Sequence, residues 1–139
     1  MTHSRMTKLE MALFAWTALN VAIGVWVLLT GQLQVFGSGL SAILPLAVGL
    51  PAAGFLLWRL LRPTRFILLF GTLFWALQII SVRFPDALYK FRLGLSIDFR
   101  LTDNPTYLVA INLLAIVVTI LFALAASQRS EARGAVATS

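Results

Sequence analysis

The chain has no cysteine, one histidine and only five acidic residues among 139. Without cysteine there is no disulfide, no thiolate nucleophile and no thiolate metal site. His3, the single histidine, sits in the N-terminal tail. A haem held between two helices by histidines is therefore excluded, and so are histidine-based metal clusters. No cofactor, no metal and no catalysis is expected. Charge is scarce as well, at 12% of residues, and its distribution is uneven. Residues 11–58, 66–82 and 104–128 contain no charged side chain at all.

Apolar residues fill these stretches. The chain is 60% hydrophobic, against about 45–50% in ordinary soluble proteins. A bilayer core about 30 Å thick is crossed by roughly 20 apolar helical residues. The pattern predicts an all-α transmembrane four-helix bundle. Its spans are residues 11–30, 40–61, 64–82 and 105–126, within a single integral membrane domain over 1–139. Arg5 and Lys8 before an apolar run also resemble the start of a secretory signal, but such a signal has an apolar region of about 7–15 residues. The first run is longer, and residues 35–39 make a mediocre cleavage site, so a retained first span is expected. Gly37, Ser38 and Gly39 mark a turn. Pro45 and Pro51 predict a bent second span. Residues 62–65 break the chain into a hairpin. Asn104 and Pro105 read as the cap and first turn of the fourth span, and residues 127–139 as a frayed tail.

The net charge of +6 does not point to nucleic acid, because the basic residues flank the apolar runs. Arg59, Arg62 and Arg65 cluster at the second connection as cytoplasmic anchors. Arg5, Lys8, Arg129 and Arg133 join them if both termini are cytoplasmic. Arg83, Lys90, Arg92 and Arg100 fall on the other side. The excess favours both termini inside, with an inner bacterial membrane as the expected location and the lipid bilayer as first partner.

Between the third and fourth spans, residues 83–104 form an extracytoplasmic segment with a different rhythm. Phe91, Leu93, Leu95, Ile97, Phe99 and Leu101 alternate with polar or glycine residues through residues 90–102, the period of a half-buried strand. A lone strand needs partners for its backbone. Gly94 could bend it into two strands, residues 32–35 could pair with it, or another polypeptide could add to its edge. The competing reading is an amphipathic segment lying flat on headgroups. Asp98, between Arg92 and Arg100 on the polar side, is read as an ion-pair partner.

Inside the spans the polar groups are uncharged. Glu10 lies at an end and reads as an interfacial anchor. Thr17, Asn20, Gly24 and Gly31 share a face of the first span. Gly71, Trp75 and Gln78 share one in the third, and Asn112, Ala115, Thr119, Ala123 and Ala126 one in the fourth. These stripes either pack a bundle, with amides bonding across helices at about 0.6–2 kcal/mol each, or line a polar cavity built on Asn20, Gln78, Asn112, Thr119 and Trp75. Trp26 and Trp75 are deep enough to be read as core.

The function expected is a non-catalytic accessory or assembly subunit of a larger inner-membrane complex, docking another membrane protein through helix faces and the extracytoplasmic strand. The alternative is a small homo-oligomeric transporter or lipid-handling protein using the polar cavity. Reporter fusions beside Thr2 and Ser139 are expected to respond from one compartment, and signals from opposite faces would refute the topology.

Overall fold

The structure, a computed structural model, describes residues 6–32, 43, 45–84, 87–102, 104 and 106–137. Among them are four α-helices and a four-stranded antiparallel sheet. This corrects the all-α four-span bundle. Among the described residues only two helices, Lys8–Thr30 and the Leu113–Glu131 part of the last one, are long and apolar enough to cross a membrane. His3, residues 33–39, Asp86, Asp103 and Pro105 lie outside the described residues.

Helix α1 is Lys8–Thr30. Thr7 caps it by accepting from the Glu10 N–H while Glu10 accepts from the Thr7 N–H, a reciprocal capping box. Gly31, at φ 68°, closes it in the left-handed conformation that glycine adopts without strain. Its buried residues are Glu10, Leu13, Thr17, Asn20, Gly24 and Val27, a single stripe at helical spacing. Trp26, expected in the core, is 63% exposed.

The second expected span is shorter than its apolar run. A π-helical turn, Pro45–Gly49, leads into α2, Leu50–Leu60. Pro51 falls in the first turn of α2, directly after the π-helical turn. Helix α3 is Arg65–Ala76, capped by Thr64, whose hydroxyl accepts from the Ile67 N–H. Residues 77–79 tighten into bonds such as Gln78 N–H to Trp75 O, 3.0 Å. The third apolar run then becomes strand β1, Ile80–Phe84, and not the end of a helix.

Strands β2 (Ala87–Tyr89), β3 (Asp98–Arg100) and β4 (Leu108–Asn112) complete the sheet in the order β2-β1-β4-β3. The expected strand over 90–102 is thus confined to Asp98–Arg100. The expected fourth span does not start near Asn104, whose side chain instead accepts from the Thr106 N–H in the β3–β4 connection. Helix α4 is Leu113–Ala137, and its first turn is held by Asn112, which accepts from the Ala115 N–H at 3.2 Å. Residues 127–137 continue this helix.

The helices alternate in direction. Arg129 of α4 pairs with Glu10 of α1, placing the start of α1 and the later part of α4 at one end of the molecule. The core joins Leu13, Leu56, Leu60, Ile67, Leu68, Trp75 and Phe122. The buried positions of α4 include Ala115, Val118, Phe122, Ala125 and Ala126, so the expected stripe holds at Ala115 and Ala126 while Thr119 is half-buried and Ala123 exposed. The reason is Phe122, which lies against Gly71 of α3 so closely that a Cβ at position 71 would overlap its ring. Gly71→Ala is expected to destabilise the protein by about 1–3 kcal/mol, the usual cost of overpacking, and Phe122→Leu in the same chain to recover part of it. Thermal unfolding in detergent micelles measures both, and an unaffected single variant would refute the contact.

Candidate functional site

The residues expected to line a cavity converge instead on a stretch of backbone. Asn20 (α1), Gln78 (after α3) and Asn112 (end of β4) are each at most 1% exposed. The segment between β2 and β3 must cross from one edge of the sheet to the other. Its alternate N–H groups donate to these amides in turn: Leu93 to Gln78 Oε1 at 2.9 Å, Leu95 to Asn20 Oδ1 at 2.9 Å, and Ile97 to Asn112 Oδ1 at 3.4 Å. Three side chains thus stand where a neighbouring strand would, on both sides of the bend at Gly94. The amides are themselves oriented, since Asn20 Nδ2 donates to Trp16 O at 2.8 Å and Gln78 Nε2 to Phe74 O at 3.5 Å. Gly94, at φ 80°, lies so close to Asn20 that a Cβ would overlap the amide. No other residue fits there.

The other two residues of the expected cavity do not join this arrangement. Trp75 is buried against Trp16 (ring centroids 6.1 Å) and edge-on to Phe74 (5.7 Å). Among the described residues, Trp75 Nε1 and Thr119 Oγ1 have no hydrogen-bond partner. Of the expected docking strand, Phe91 and Leu93 are core, with Phe91 edge-on to Phe74, whereas Leu95, Ile97, Phe99 and Leu101 are exposed. Arg59 lies over the Trp58 ring at 5.8 Å, and with Arg62 it lines a surface pocket of about 340 Å³ at the end of α2.

The sheet has two unlike faces. One carries Ile80, Val82 and Phe84 of β1 with their cross-strand neighbours Ile111, Phe99, Val109 and Tyr89. Ile80, Phe84, Tyr89 and Phe99 on this face are 43–59% exposed, and Phe84 meets Tyr107 edge-on at 6.1 Å. The opposite face carries Ser81, Arg83, Asp98 and Arg100. The crossing segment runs over it, because Arg92 pairs with Asp98 and donates from Nη2 to Ser81 Oγ at 2.7 Å.

Here a pocket of about 190 Å³ opens, lined by Ser81, Arg83, Lys90, Arg92, Asp98 and Arg100 together with apolar groups. Four cations and one carboxylate share this small space. The Lys90 ammonium is held below its ordinary pKa, first by burial and then by the Arg92 and Arg83 cations, with Asp98 opposing them. Sequence reading found the polar side of 90–102 but missed Ser81 and Arg83, because β1 lies in or beside a run taken for helix.

If the amides serve the backbone, Gln78→Leu and Asn20→Leu are each expected to cost about 1–3 kcal/mol, the penalty for a buried donor left unpaired. Amide exchange should quicken first at Leu93 in Gln78→Leu and at Leu95 in Asn20→Leu. Uniform exchange along the segment would refute the one-to-one pairing. No protein-family model, curated protein or solved structure matches this chain, so its function is read from its own geometry.

Proposed function

We propose that the chain is a non-catalytic accessory or assembly subunit of a bacterial inner-membrane complex. In this reading α1 and α4 cross the membrane, both termini are cytoplasmic, and the sheet stands on the extracytoplasmic side. Two apolar helices of sufficient length support the membrane assignment. So does the exposure of their outer surfaces, with Trp26 at 63% and Leu29 at 79%. Lys8, Arg59, Arg62, Arg65 and Arg129 fall at the end of the helices away from the sheet, as the positive-inside rule asks of a cytoplasmic end.

The observation that carries the docking role is the exposed apolar face of the sheet. Water disfavours a contiguous patch of this kind, which on a folded protein marks an interaction surface. Hydrocarbon fits it no better, because an open sheet presents edge N–H and C=O groups that lipid cannot satisfy, and β2 and β3 are such edges. Another polypeptide meets both needs, covering the face and pairing with an edge. The alternative, a homo-oligomeric transporter built on Asn20, Gln78 and Asn112, is less well supported, since their acceptor oxygens are taken up by backbone N–H groups.

Purification at native expression in mild detergent, followed by mass spectrometry, is expected to yield a stoichiometric second protein. Phe84→Asp combined with Phe99→Asp should release it without lowering the melting temperature of the subunit. A sharp homodimer carrying nothing else would overturn the reading.

A further inference from the structure

We propose that the pocket on the inner face of the sheet binds a phosphate-type oxyanion. Its residues come from separate parts of the chain. Ser81 and Arg83 belong to β1, Lys90 and Arg92 to the crossing segment, and Asp98 and Arg100 to β3. The fold therefore gathers like charges that would repel one another at close range, and among the described lining residues one carboxylate stands against them. Asp98 is already engaged by Arg92, which leaves Arg83, Lys90 and Arg100 without a salt bridge among the described residues. The Lys90 ammonium is held below its ordinary pKa first by burial and then by its cationic neighbours Arg92 and Arg83, and an anion in the pocket would offset that repulsion.

The size of the site narrows the ligand. A pocket of about 190 Å³ falls below the roughly 300–1,000 Å³ typical of sites for drug-sized molecules and cofactors. It suits one small anionic group. Guanidinium forks match phosphate oxygens two at a time, and an ammonium adds a point charge. Arg83 and Arg100 are exposed and have the reach to turn inward, while Arg92 is fixed by Ser81 and Asp98 and shapes the floor. The site stands independently of any docking partner, because it lies on the face opposite the apolar one.

The phosphate could be free or part of an anionic lipid headgroup, and one experiment separates the two. Full-length protein in neutral detergent is titrated with inorganic phosphate and, separately, placed in phosphatidylcholine nanodiscs with and without phosphatidylglycerol. Binding is read from amide shifts at Ser81 and Ala110 and from lipid retained in native mass spectra. Shifts with inorganic phosphate support a free anion. Shifts or retention only with phosphatidylglycerol support a headgroup. In either case Arg83→Gln with Arg100→Gln should weaken binding at least tenfold, while Arg62→Gln at the far end leaves it unchanged. Lys90→Gln carries the same expectation should the double variant fail to fold. No saturable response to either probe, or equal weakening by Arg62→Gln, would overturn the proposal.

Discussion

A non-helical segment of backbone crosses the top of a helical core, and its N–H groups must be satisfied there. That requirement governs the architecture. Leu93, Leu95 and Ile97 have no neighbouring strand on the side they donate to, and Gln78, Asn20 and Asn112 supply the acceptors. An unmet buried donor costs about 1–3 kcal/mol. Three of them would consume a large share of the about 5–15 kcal/mol by which a domain is stable. The three amides come from α1, the turn after α3 and the end of β4, so the docked segment ties these three parts together. Gly94 follows from the same constraint, because the approach that lets Asn20 reach the Leu95 N–H leaves no room for a side chain.

The two faces of the sheet also depend on this crossing. By passing over one face, the segment brings Arg92 to Ser81 and Asp98 and makes that face polar and partly enclosed. The other face receives no cover from the described residues, and Ile80, Phe84 and Phe99 on it remain exposed. Antiparallel sheets often bury their apolar face on the core of the same protein. Here the apolar face turns away from the helices, and the proposed docking role rests on that exposure.

Much of this was legible in the sequence, and the failures share a cause. The apolar runs, the break at residues 62–65, and the burial of Asn20, Gln78 and Asn112 could all be read from spacing. The extent of each helix could not, because a continuous apolar run has no periodicity that separates a buried helix from a strand. Residues 80–84 and 108–112 are rich in Ile and Val, which favour strands, yet each adjoins a helical run and was absorbed into it. The cap was misplaced for a related reason. Asn104 before Pro105 carries the stronger local signal, but Asn112 has the backbone N–H of Ala115 in reach and holds the first turn of α4.

The alternation over 90–102 shows how one pattern can serve several environments. Phe91 and Leu93 enter the helical core, Leu95 and Ile97 are exposed, and Phe99 lies on the outer face of the sheet. A regular strand would hold all of them on one side. Gly94, between Leu93 and Leu95, takes a positive φ and turns the chain, so residues that share a parity no longer share a surface. The polar positions are redistributed in the same way. Lys90 and Arg92 before the turn meet Asp98 and Arg100 after it across the sheet face, and a charged pocket is assembled from residues that a straight strand would have spread along its length.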